Sequence, residues 1–180
     1  MKRLIIPLLA VATLGYPFLV VGALSYGLGE WLAMVMLALL LLRSWLQPQQ
    51  RLISLAGMLL IGAYAITRNE VLLHWYPVLI NATMLLLFAL SLRQQQSMIE
   101  CLARLRQPTL PVAARPYLRR VTQVWCGFFV INGSIAATTV LLANQQLWLW
   151  YNGFIAYLLM ALLLLAEWLI RPKSEPANDH

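Results

Sequence analysis

The chain has 180 residues, of which 62% are hydrophobic and 11% charged, with a formal net charge of +7. Soluble domains carry roughly a quarter charged residues, so a water-soluble globular fold is excluded and an integral membrane domain is implied. In such a chain the basic excess reads as Lys and Arg held on the cytoplasmic side, and nucleic-acid binding drops out.

The apolar stretches predict an all-α, polytopic transmembrane helical bundle of six spans. The first covers about residues 4–24. It opens on Met1-Lys2-Arg3, as a secretory signal does, and Ala10 and Ala12 imitate a cleavage site. The apolar run continues through Leu14, Phe18, Leu19, Val20 and Val21, so it reads as an uncleaved helix. If this stretch lies in the interface instead of crossing, five spans remain.

The second span covers about 29–46, opening on Glu30 and Trp31, the third 52–67 and the fourth 76–92. All three are near the short limit for crossing hydrocarbon of about 30 Å. A polar gap at about 93–120 follows. Within it, residues 94–106 place Met98, Ile99, Leu102 and Leu105 near one helical face, with Glu100, Arg104 and Arg106 among the polar positions. That pattern predicts a short helix lying on the membrane surface. Pro108, Pro111 and Pro116 then rule out a continuous helix through the next stretch. The fifth span covers about 121–143 and the sixth 147–170; a polar tail at 172–180 reads as disordered. Residues 1–171 form one transmembrane domain in this reading.

Charge orients the bundle. Lys2, Arg3, Arg43, Arg51, Arg93, Arg104, Arg106, Arg115, Arg119, Arg120, Arg171 and Lys173 fall in one set of alternate gaps. Arg68 alone lies in the other set, offset by Glu70. The positive-inside rule places both termini and the long loop in the cytoplasm of a bacterial inner membrane. Trp75, Tyr76, Trp148, Trp150 and Tyr151 are expected as an outer aromatic belt, with Trp45 and Trp168 marking the inner boundary.

Two groups of residues are candidates for contact. Polar side chains inside hydrocarbon must face protein or water. Asn81 lies early in span four; Asn132 lies near the middle of span five, beside Gly133 and Ser134, with Thr138 and Thr139 beyond. Gly133 and Ala137 form a small-xxx-small pair that permits close helix approach. Asn81, Asn132, Ser134 and Thr138 therefore read either as an intramembrane polar contact between helices or as the lining of a path. The second group is Arg104, Arg106, Arg115, Arg119 and Arg120, which can grip phosphate or carboxylate in bidentate fashion. Anionic membrane lipid is the simple partner; an acidic division or envelope protein, or an acyl carrier protein, is the alternative.

Other chemistry finds little support. Glu167 stands four residues before Arg171, which an ion pair near the interface explains, and Glu30 reads as a helix-start carboxylate. His74 lacks metal-ligand neighbours, and Cys101 and Cys126 suggest neither a disulfide nor a metal site. No nucleophile elbow, His-containing triad or phosphate-binding glycine loop can be assembled. A non-enzymatic protein without cofactor or metal is expected.

Thr109-Leu110-Pro111 precedes the fifth span, Trp125 is followed by Phe128-Phe129 and Gly133, and Trp150 and Asn152 open the final span, with a weaker echo in Ser44-Trp45. In this order and spacing the chain resembles the intracellular septation protein A (YciB-like) family of small inner-membrane-spanning proteins. The resemblance is clearest over the last 75 or so residues. The chain departs from the pattern in a longer gap from Pro111 to Trp125, and in Gly153 and Phe154 where a lysine is expected, as a divergent branch would. The resemblance implies a role in envelope maintenance and septation through protein or lipid contacts, and it implies no catalytic residue. A small lipid or solute transporter or flippase, and an accessory protein of fatty-acyl or aryl-polyene synthesis, are the rival functions.

Overall fold

A backbone in hydrocarbon must satisfy its amides internally, and every regular element among the described residues is helical. The structure, a computed structural model, describes residues 15–46, 51–107 and 110–170, without the side chains of Leu52 and Arg106. The start of the expected first span, the tail at 172–180 and the expected Glu167–Arg171 pair lie outside the described residues. In chain order the helices are α1 (Tyr16–Ser25), α2 (Gly29–Leu46), α3 (Arg51–Thr67), α4 (Val71–His74), α5 (Tyr76–Ser91), α6 (Met98–Arg106), α7 (Arg115–Leu141), α8 (Gln145–Trp150) and α9 (Ala156–Ile170). A π turn, Tyr151–Ile155, joins α8 to α9, so Gln145–Ile170 is one rod.

Among the described residues three stretches are long and apolar enough to cross a membrane: Gly29–Leu46, Val112–Leu141 and Gln145–Ile170. Shorter apolar helices occupy Tyr16–Ser25, Ile53–Thr67 and Tyr76–Ser91. The fifth expected span begins earlier than 121, because Pro116 sits in the first turn of α7, where its missing N–H costs nothing. With 27 residues α7 is about 40 Å long. That exceeds a hydrocarbon core of about 30 Å, so one end must project.

Local chemistry sets the turns. The α1–α2 connection is a Schellman motif: Gly27 takes φ +68°, its N–H reaches the Leu24 carbonyl at 3.1 Å, and the Leu28 N–H reaches Ala23 at 2.7 Å. Asn144 starts α8 by accepting the Leu147 N–H on Oδ1 at 2.9 Å.

The core has two main parts. Tyr16, Val20, Met36, Leu40, Ile61, Tyr64, Leu73, Tyr76 and Trp148 belong to one, which ties α1–α5 to α8. Phe88, Trp125 and Phe129 form the other, with Met98 and Ile99 of α6 and Met160 of α9 against it. The most extensive helix–helix contact is that of α5 with α7. A Cβ added at Gly133 would stand 3.0 Å from the Asn81 Cβ, so glycine is what permits this approach.

The structure corrects the expected aromatic belt. Trp150 is exposed, as are Trp45 and Trp168, whereas Tyr76, Trp148 and Tyr151 are buried in the bundle. Trp148 is 1% exposed, and its Nε1 donates to the His74 carbonyl at 3.0 Å. A helical turn of 3.6 residues puts 148 and 151–152 on one side and 150 on another; nearness in sequence to an interface does not say which side faces lipid.

Candidate functional site

Three asparagines meet in the bundle. Asn132 of α7 donates from Nδ2 to Oδ1 of Asn81 on α5 at 3.0 Å and accepts the Tyr151 hydroxyl on its own Oδ1 at 2.9 Å. Asn81 donates back to the Pro77 carbonyl at 2.8 Å. About two turns along α7 from Asn132, Asn152 donates from Nδ2 to Thr139 Oγ1 at 3.2 Å and to the Trp148 carbonyl at 3.0 Å. All three asparagines, Tyr151 and Thr139 are buried. Amides in a low-dielectric interior are stable only when paired in this way.

These asparagines also border a cavity of about 490 Å³. Its walls include Ile80, Met84, Phe88, Trp125, Phe129 and Met160, and its polar lining includes Tyr16, Tyr76, Arg43 and Glu167. Volumes of about 300–1,000 Å³ with apolar walls and few polar groups typify small-ligand sites. The π turn abuts it: the Ala156 N–H bonds to the Tyr151 carbonyl, five residues back, and Asn152 and Ala156 both line the cavity. Such turns mark functional sites frequently. A second cavity of about 300 Å³ is lined by Ser25, Glu70, His74, Thr139, Asn144 and Trp148 among others. Asn152 borders the first cavity and Thr139 the second, so their hydrogen bond is part of the wall between them.

Two expected members of the polar contact are elsewhere. Ser134 and Thr138 are exposed on α7, where the Thr138 hydroxyl folds back onto the Ser134 carbonyl at 2.9 Å. They stand four residues apart on one face, while Asn132 and Thr139, seven apart, share the inward face. The structure therefore leaves Ser134 and Thr138 outside the buried polar contact and brings Asn152 and Thr139 into it.

The basic loop is organised by Glu100, which is a buried residue and not part of a solvated polar face. Its Oε1 accepts from Arg104 Nη2 at 2.8 Å and lies 3.3 Å from Arg115 Nε, which ties α6 to α7. Met98 N–H donates to Ser91 Oγ at 2.9 Å and Ile99 N–H to Thr122 Oγ1 at 3.3 Å, so the start of α6 is pinned to α5 and α7. Leu102 is half exposed and borders the cavity described above, and Leu105 is exposed. Arg119 donates to the Leu92 carbonyl just past α5, and Arg120 is exposed. Arg106 closes α6 with its side chain outside the described residues. Three of the expected cluster, Arg104, Arg115 and Arg119, thus bind the protein itself.

No protein-family model matches this chain, and neither a curated protein nor a solved structure matches it.

On the opposite surface Arg68 pairs with Glu30, not with Glu70. His74 packs edge-on against Trp148 with ring centroids 4.7 Å apart. Among the described residues no group of three His, Cys, Asp or Glu side chains could hold a metal ion. Sequence reasoning passed over Arg43, Tyr151 and Asn152 as site residues. Asn152 carries the same signal as Asn132, a lone amide in an apolar helix, whereas Arg43 carries only that of an orienting charge.

Proposed function

We propose that this chain is a six-span, non-enzymatic protein of the bacterial inner membrane that supports envelope biogenesis or septation by holding a lipid between its helices. The observation that carries the reading is the interhelical cavity, apolar along Phe88, Trp125, Phe129 and Met160 and bordered by three amides. The Arg-rich loop supports the orientation with both termini in the cytoplasm, and the resemblance to the septation protein A family supports the cellular role. Recruitment of an acidic protein or acyl carrier protein by the loop is less favoured, because Arg104 and Arg115 converge on Glu100 and Arg119 caps α5.

A flippase is the second reading, favoured by the arrangement of two cavities on either side of Asn152 and Thr139. Opening that wall would join them.

Native mass spectrometry of the purified protein tests the lipid role. The wild type is expected to retain one lipid through detergent exchange, and Met84→Trp or Leu164→Trp, at two residues that line the cavity, to lose it. Retention unchanged in both folded variants would place the lipid outside the cavity and defeat the reading.

A further inference from the structure

The short helix α6 is part of the cavity's wall: its Ile99 and Leu102 border the cavity together with Val121 of α7. It is held unevenly. The Met98 and Ile99 amides bond to Ser91 and Thr122, and both side chains pack against the aromatic cluster. Farther along, Cys101, Leu102 and Leu105 are exposed, and the ion pair of Glu100 with Arg115 ties α6 to the first residue of α7. That pair is unequal. Glu100 is buried and also receives Arg104 Nε and Nη2 at 3.1 and 2.8 Å, so it keeps a partner when Arg115 leaves. Arg115 is 49% exposed and approaches Glu100 with Nε at 3.3 Å. A further partner is in reach of the carboxylate. Ser97-Met98-Ile99-Glu100 spells a capping box, in which the first and last residues satisfy each other's N–H groups. Here the box is not made: the buried Ser97 Oγ has no hydrogen-bond partner, and Glu100 is turned to the two arginines. On the lipid-holding role proposed above, we propose that α6 is a lid on the cavity, latched by Glu100 and Arg115 and released when the phosphate of an anionic headgroup takes Arg115.

Arg115 opens a helix longer than hydrocarbon is thick, in the same turns as Arg119 and Arg120. In the proposed orientation it stands at headgroup level, where anionic lipid gathers around basic side chains. A guanidinium offers phosphate two parallel N–H bonds, a better fit than its approach to Glu100 through Nε. Once Arg115 is withdrawn, α6 turns about its start, where Ser97 has extended backbone with ψ 160° and the Met98 and Ile99 amides keep their acceptors. Leu105 lies about 12 Å along the helix from Ser97, so a small rotation there moves Leu102 off the cavity. The Ser97–Glu100 box, free to close, steadies the open lid.

The test is hydrogen exchange of the full-length protein in nanodiscs of choline-headed phospholipid, with and without glycerol-headed phospholipid of the same chains. Amides of 101–106 are expected to exchange about tenfold faster with the anionic lipid, while the α2–α3 hairpin stays protected. Arg115→Gln should exchange fast in both discs and lose the headgroup dependence. Arg115→Lys, which keeps the charge, should retain part of it and serves should the neutral variant fail to fold. Wild-type exchange that is equal in the two discs, or slower with the anionic lipid, overturns the lid. The same acceleration by inorganic phosphate added to choline discs overturns the assignment to a membrane headgroup. Native mass spectrometry of the same preparations separates this proposal from the role it rests on. Headgroup-independent exchange with lipid retained overturns the lid alone; no lipid retained, with Met84→Trp indistinguishable from wild type, overturns the lipid-holding role.

Discussion

Asn132 and Asn81 join α7 to α5 through a single amide hydrogen bond of 3.0 Å, beside the glycine that lets the two helices approach. Asn132 also holds the Tyr151 hydroxyl, so one side chain fastens three elements. Asn132→Leu is expected to destabilise the bundle by about 1–2 kcal/mol, since it leaves Tyr151 and Asn81 short of a partner. A double-mutant cycle with Tyr151→Phe, followed by unfolding in detergent, should show a coupling energy of about 0.6 kcal/mol or more. Strict additivity would mean that the two side chains do not interact.

Gly133 makes a steric prediction at the same contact. Gly133→Ala places a methyl group 3.0 Å from the Asn81 Cβ, closer than ordinary packing. Gly133→Val adds more, with a cost of about 1–3 kcal/mol for overpacking. Thermal unfolding should rank glycine above alanine above valine. Equal stability of the three would show that α5 and α7 are further apart.

The clasp between α6 and α7 depends on a carboxylate 3% exposed. Glu100→Ala leaves Arg104 and Arg115 without their common acceptor and is expected to cost about 1–3 kcal/mol. Hydrogen exchange should rise across Met98–Arg106, including the Met98 amide that donates to Ser91 Oγ, while the α2–α3 hairpin stays protected. Exchange unchanged in α6 would show that Met98 and Ile99 hold it without the ion pairs.

Trp148 separates two contributions. Trp148→Phe keeps most of the buried ring and loses the Nε1 bond to His74, about 1 kcal/mol. Trp148→Ala also empties a core site, at about 3–5 kcal/mol. The two unfolding midpoints should differ accordingly; equal losses would assign nearly all of the effect to the hydrogen bond.

The proposed orientation can be checked with native chemistry. Cys101 is exposed beside Glu100 on α6, and Tyr26 is 83% exposed in the α1–α2 turn. In intact spheroplasts an impermeant maleimide should label Tyr26→Cys and spare Cys101, and in inverted vesicles the preference should reverse. Labelling of Cys101 from outside would invert the topology.

Several features were legible without coordinates. Apolar length against the thickness of hydrocarbon set the helices, and the bounds expected at 29–46 coincide with α2, Gly29–Leu46. The lone amides Asn81 and Asn132 announced an interhelical contact, because an isolated amide in an apolar helix needs a partner. What the sequence by itself determined, then, is local: hydropathy, the extent of the apolar runs, and the distribution of Arg along the chain.

Tertiary structure decided which face of each helix turns inward. It put Thr139 in the network in place of Thr138, buried Tyr76, Trp148 and Tyr151, and paired Arg68 with Glu30. It also buried Glu100, whose surroundings come from α6 and α7 together. Hydropathy could not settle these choices, because an apolar residue is equally content against lipid or against another helix. The direction a side chain faces then follows from packing between helices, which residues far apart in sequence jointly determine.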